Sequence, residues 1–150
     1  MKLQNTLTLD CIKCAVPISS KKRILEEIST LAADQITDLS QHQLLNCLMK
    51  REKMGSTGIG NGIAIPHGRL PQTDRAIAIV ITTQQPIPFD AIDNKPVDIF
   101  IALFAPENAC DEHLSTLQNI VQIFGNSNTA KQVRKCQTAE QLFAIITQSN

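Results

Sequence analysis

Two segments of the chain are apolar at odd and even positions alike: residues 75–82 (RAIAIVIT) and residues 97–104 (VDIFIALF). A strand with one wet face alternates, so a strand apolar on both faces is expected at the centre of a sheet covered on both sides. Pro106 stops the second of them, and residues 83–94 between the two, with Pro86 and Pro88 and an Asp93-Asn94 turn, read as a loop. Around these strands the apolar positions switch to helical spacing. A first helix over residues 20–34 carries Ile24, Ile28 and Leu31 on one face, with Leu25 and Ala32 beside it. A second opens on Ser40 with Gln43 three residues on, a capping box. It buries Leu44, Leu45, Leu48 and Met49 and ends at Gly55. A third follows a connection over residues 107–112, with Leu114, Leu117, Val121 and Phe124 as its apolar face, and closes at residues 125–128. A short helix over 129–136 comes next. A final helix capped by Thr138 and Gln141 carries Leu142, Phe143, Ile145 and Ile146. Residues 1–19 show no sustained period, only a β-leaning piece at 7–9. Helices interleaved with buried strands predict an α/β fold, a small mixed sheet with helices packed on both faces, in one domain over 1–150.

Composition narrows the functional classes. A chain of 150 residues, 43% hydrophobic, is long enough to bury roughly two-thirds of its unfolded surface and needs neither metal nor disulfide to fold. Its formal net charge of +0 disfavours nucleic acid and anionic membranes as partners, since both demand clustered positive charge. No apolar run approaches the ~18 residues of a membrane span, and MKLQNTLTLD lacks a signal-peptide pattern, so a cytoplasmic location is expected. Five cysteines fit reduced thiols better than a disulfide scaffold. Cys11 and Cys14 make a CxxC without the helix of a redox motif or the second pair of a zinc site, so they read as small half-buried side chains.

The chemistry concentrates in residues 51–70, REKMGSTGIGNGIAIPHGRL. Gly55, Gly58, Gly60 and Gly62 allow a backbone that turns sharply and approaches a ligand closely. Residues 62–65 read as a strand whose pairing should lapse at Pro66, which has no N–H to give. His67 is thereby displayed between a rigid proline and a permissive Gly68. The loop is one residue short of a dinucleotide fingerprint and is followed by a strand; it also lacks the Lys of a P-loop. What remains is a set of backbone N–H groups, the hydroxyls of Ser56 and Thr57, an arginine and a histidine. Backbone amides and Arg are habitual partners of phosphoryl oxygens, and a neutral imidazole is a nucleophile. Covalent phosphorylation of His67 and a plain glycine turn bearing an exposed histidine are both compatible with these residue types.

The same string resembles the phosphorylation-site signature of the IIA proteins of the bacterial phosphoenolpyruvate-dependent phosphotransferase system, and the nitrogen-regulatory branch more than the fructose or mannitol carriers. Residues 20–23 (SKKR), 89–94 (FDAIDN) and 96–98 (PVD) share the likeness, which covers most of residues 5–147. The resemblance implies a mannitol/fructose-type IIA fold, with His67 as phospho-acceptor through a tele-phosphohistidine. It also implies a donor phosphohistidine on an HPr-like carrier (NPr). By position it assigns Arg51, at the exit of the second helix, and His113, in the string DEHL, to the active site. Without it Arg51 reads as a solvated C-terminal charge and His113 as a helix-start residue. Ser115 stands where some relatives have another histidine. Ser56, Thr57, Gly58 and Gly60 are expected to help hold the phosphoryl oxygens, and His42 to be solvated surface. Ile59, Ile63 and Leu70 are expected as an apolar rim for docking. No metal or other cofactor is implied, because no carboxylate cluster accompanies the site. Regulatory targets in this branch include potassium-transport components and sensor kinases. The rival expectations are a sugar-type IIA that passes phosphate to a IIB domain, and an interaction module that is never phosphorylated.

Overall fold

The structure, a computed structural model, describes residues 2–71 and 73–149. Its frame is a mixed sheet of six strands: β1 Ile12–Val16, β2 Gly58–Gly60, β3 Ile63–Ala64, β4 His67–Leu70, β5 Ile77–Ile87 and β6 Val97–Pro106. The order is β1-β5-β6-β3-β2, with β4 also on β6. The two doubly apolar segments are the antiparallel centre, β5 against β6, as expected of strands with no polar face. On its other side β6 receives two short parallel strands in series. Ile63 and Ala64 face Ile99 and Phe100, and His67 to Leu70 face Leu103 to Pro106. Between them the ladder lapses at Ile65 and Pro66, although the Pro66 carbonyl still accepts from the Leu103 N–H at 3.0 Å. That interruption places His67 at the start of a new strand rather than beyond the sheet.

Five helices cover this sheet, and their starts follow local chemistry. The Ser20 hydroxyl accepts from the Arg23 N–H and opens α1, Lys21–Ala33. Ser40 and Gln43 form the expected capping box of α2, Gln41–Lys53, and Thr138 and Gln141 that of α5, Ala139–Gln148. Asn126 caps α4, Ser127–Arg134, two residues earlier than the sequence indicated. α1 and α2 pack against each other and reach β5 and β4, while α3 (Cys110–Phe124), α4 and α5 pack in series and reach β6 and β1. Phe89, Phe100, Phe104 and Phe124 lie fully buried in one continuous apolar cluster.

Three expectations are corrected. The segment 1–19, of which Met1 lies outside the described residues, is not irregular. It holds two 3-10 turns, Leu3–Asn5 and Leu9–Cys11, and then β1, parallel to β5. β1 escapes a periodicity reading because it is five residues long and its register shifts at Ala15, which has φ 53. Residues 83–87 continue β5 instead of starting a loop. The register with β6 breaks between Thr82 and Ile87, and Pro86 falls in that break, where no ladder bond is required of it. Finally, α3 begins at Cys110 and turns Thr116, Ile120, Ile123 and Phe124 inward, leaving Leu114 56% and Val121 47% exposed. Of the Cys11–Cys14 pair, Cys11 is buried and Cys14 half-buried, and all five cysteines are free.

Candidate functional site

His67 is fixed by its own chain. Its Nδ1 lies 2.7 Å from the Ile65 carbonyl two residues back, a geometry that the extended Ile65-Pro66 pair makes available. A carbonyl only accepts, so Nδ1 carries the ring proton and Nε2 keeps its lone pair. The ring is half-buried. Burial, foremost, holds its pKa below the ordinary 6.5; the nearby Arg51 charge acts the same way, while the Ile65 bond and Glu52 oppose it. The neutral ring, with Nε2 unprotonated, is therefore the form present near pH 7.

The ring borders an open depression of about 820 Å³ between the end of α2, β4 and the start of α3. Arg51 and His113 line the same depression, so the three residues assigned by resemblance converge there from separate elements. Arg51, in the last turn of α2, donates from Nη1 to the Gly55 carbonyl at 2.9 Å, which orients its guanidinium along the helix exit. His113, in the first turn of α3, stands with its ring centroid 5.6 Å from that of His67, the planes tilted by 50°. Burial first, then the His67 ring and Arg69, push its pKa down to about 4. Its Nδ1 is buried with no hydrogen-bond partner among the described residues. An orphaned buried nitrogen costs stability, and such groups concentrate where function requires them.

The loop residues do not join this group. The Ser56 hydroxyl donates to the Phe89 carbonyl at 2.9 Å and accepts the Gly58 N–H at 3.1 Å. The Thr57 N–H and hydroxyl both go to the Glu52 carboxylate. Gly58 is packed so closely on Ala91 that a Cβ there would lie 2.6 Å from the Ala91 Cβ, and Gly60 has φ +100 beside Asp93. None of the four borders the depression, and the glycines at 58 and 60 serve close packing and a left-handed turn. The apolar rim is also corrected: Ile59 is 41% exposed, but Ile63 and Leu70 are buried, because each occupies an inward position of a strand on β6. Met54 and Leu117 border the depression instead, with exposed Leu114 next to His113 and exposed Val121 one turn beyond Leu117 on α3. His42 is exposed, near Asn46 on the polar side of α2.

Sequence reading missed Lys50, Arg69 and Glu107, which also line the depression. The signal for Arg69 was its place two residues from His67 on one strand, since alternate residues share a face. Its Nη1 lies 2.7 Å from the Cys110 Sγ at the start of α3.

The comparisons with known proteins give this fold its class, an EIIA protein. Residues 5–149 match the family "Phosphoenolpyruvate-dependent sugar phosphotransferase system, EIIA 2", and the chain belongs to it. It is 44% identical over 150 residues to a nitrogen regulatory protein of Klebsiella oxytoca, covering 99% of this chain and 92% of the relative. It is 43% identical over 148 residues to that of Escherichia coli, covering 98% and 90%. The crystal structure of nitrogen regulatory protein IIA-Ntr from Neisseria meningitidis superposes with a TM-score of 0.91 at 38% identity, over 96% of this chain and 98% of that one. The expected nitrogen-regulatory likeness and the mannitol/fructose-type IIA fold are thus borne out. Among the described residues, no helix is long and apolar enough to cross a membrane.

Proposed function

We propose that this protein is a cytoplasmic phosphocarrier that accepts a phosphoryl group on Nε2 of His67 from a phosphohistidine of an HPr-like (NPr) protein. We propose further that the chain works as one domain over 1–150. The observation that carries the reading is the 2.7 Å contact between His67 Nδ1 and the Ile65 carbonyl, which leaves Nε2 as the nitrogen with a lone pair on a ring that borders the depression. In the transfer the Nε2 lone pair forms a bond to phosphorus while the donor's N–P bond breaks, its electron pair returning to the donor ring. The ring proton stays on Nδ1, donated to the Ile65 carbonyl, throughout. Phosphoryl transition states are loose, so the work of the site is alignment and charge stabilisation. Arg51 supplies guanidinium N–H groups to the equatorial oxygens, and neutral His113 donates an N–H. Ser56, Thr57, Gly58 and Gly60 support this arrangement through the loop they brace, their polar groups being engaged elsewhere. The donor docks over Met54, Leu114, Leu117 and Val121, whose exposed apolar surface continues from the depression.

The output is regulatory: a phosphate of about −2 charge on a docking face changes which partners it accepts, potassium-transport components or sensor kinases among them. Identity of 43–44% to nitrogen regulatory proteins, against 26% to a fructose-like EIIA component of Escherichia coli, favours this branch over a sugar carrier. Incubation with phosphoenolpyruvate, enzyme I and the HPr-like carrier should add one phosphate by intact mass, absent in His67→Ala. No adduct, or an adduct that survives the substitution, would leave the interaction-module reading. Rapid onward transfer to a sugar IIB domain would assign the sugar-carrier role instead.

A further inference from the structure

Glu52 occupies a costly position. It sits in the last turn of α2, where the helix dipole disfavours a carboxylate, and its side chain is only 7% exposed. Its oxygens are fully engaged. Lys21 Nζ lies 2.9 Å from Oε2, the Thr57 N–H is 3.1 Å from both oxygens, and the Thr57 hydroxyl donates to Oε1 at 2.6 Å. Lys21 is itself held by the Phe89 carbonyl at 3.2 Å and lies over the Phe89 ring.

From Thr57 the bonds run on into the site. The Thr57 carbonyl accepts the Ile65 N–H at 2.9 Å, and the Ile65 carbonyl accepts the His67 Nδ1 proton at 2.7 Å. Ile65 lies in the gap between β3 and β4, where no ladder to β6 fixes it. The β2–β3 pairing beside it is irregular between Gly58 and Gly60. On the β6 side the next carbonyl, that of Pro66, is held by the Leu103 N–H; on the loop side the Ile65 backbone is held by its bond to Thr57, and Thr57 by Glu52.

We propose that Glu52 is a positioning residue for His67: acting through Thr57 and Ile65, it holds the carbonyl that keeps the ring proton on Nδ1 and leaves Nε2 free. This rests on the reading of Nε2 as the phosphoryl acceptor. In a neutral imidazole the proton sits on the nitrogen that has a hydrogen-bond acceptor. If the Ile65 carbonyl swings away, the Nε2–H form gains population, and that form has no lone pair with which to attack. The rate then falls in proportion to the reactive fraction.

Glu52→Gln keeps the side chain's shape but sets an amide N–H₂ against the donors of Thr57 or Lys21. In the variant, 15N shifts of the His67 ring should show the Nε2–H form, where wild type shows Nδ1–H. Phosphoryl acceptance should slow about 3- to 10-fold. Glu52→Asp, which keeps the charge but reaches less far, should lie between, and serves if the Gln variant does not fold. Leu142→Ala, on the buried face of α5, should lower the melting temperature with the ring unchanged, which separates positioning from bulk stability. A wild-type 15N pattern in a folded Glu52→Gln or Glu52→Asp variant overturns the proposal. The tautomer is read without phosphate, so failure of the wild type to be phosphorylated would count against the carrier function and leave this inference standing.

Discussion

His67 and His113 stand 5.6 Å apart, ring centroid to ring centroid, and the first is among the groups that keep the second neutral. His113 titrates near 4 in the fold and at the ordinary 6.5 when unfolded, so acid favours the unfolded chain. The stability tied to this neutral ring is complete above pH 6.5 and is lost as pH falls towards 4. His67, whose value is also depressed, acts in the same direction. Denaturant titrations across this window should show stability falling with acid, with a shallower fall in His113→Leu. Superimposable pH profiles for the two proteins would contradict the burial assigned to His113.

The same histidine should separate stability from activity. Its Nδ1 is buried without a partner, so an apolar replacement of similar reach removes an unpaid desolvation cost. His113→Leu is expected to melt at or above the wild-type temperature, while phosphoryl acceptance slows by about 10²-fold, the scale of losing one transition-state donor. A variant that melts far lower would mean that His113 is a structural element of α3.

Arg51 is held by one hydrogen bond, to the Gly55 carbonyl, which leaves most of its N–H groups for the depression. Arg51→Ala should slow acceptance about 10²-fold, and Arg51→Lys should recover only part, because an ammonium cannot span two phosphoryl oxygens as the planar fork does. Rapid-quench measurement of phosphate uptake at saturating donor distinguishes the three. Equal rates would show that the guanidinium only caps the helix.

What the sequence disclosed follows how local each determinant is. The capping boxes at Ser40 and Thr138 depend on residues within one turn, and both were legible; at Ser20 the helix start was legible but the cap was not read. So were β5 and β6, whose apolar character on both faces admits one environment. The face of α3 was not legible: Leu114 and Val121 fit a helical stripe as well as Ile120 and Ile123 do, and only the position of β6 decides between them. The loop failed for a similar reason. Its hydroxyls looked available for phosphate, but Glu52, which reads as an ordinary charge at a helix end, takes up both donors of Thr57. His67 stood out from its own flanking residues, whereas the roles of Arg51 and His113 came from resemblance, and the convergence of the three on one depression lies between elements far apart in sequence.

The approach of β4 to α2 sets the height of His67 in the site, and Gly68 sets that approach. A Cβ at Gly68 would run into the Cys47 Sγ, with the Cys47 Cβ 3.8 Å away. Gly68→Ala must therefore push β4 off α2 or turn the thiol aside, at a cost of about 1–3 kcal/mol. Because His67 is the preceding residue, acceptance should slow as well. Cys47 is half-buried against the core, and Cys47→Ala alone should cost less than the loss of a large side chain. Combined with Gly68→Ala it removes the obstructing sulfur, so the double variant should be more stable than Gly68→Ala alone and should regain most of its acceptance rate. The coupling, read from a denaturation double-mutant cycle, is expected at about 0.5–3 kcal/mol. Additive losses would mean that Gly68 is required for its backbone conformation, and that α2 does not set how far His67 projects.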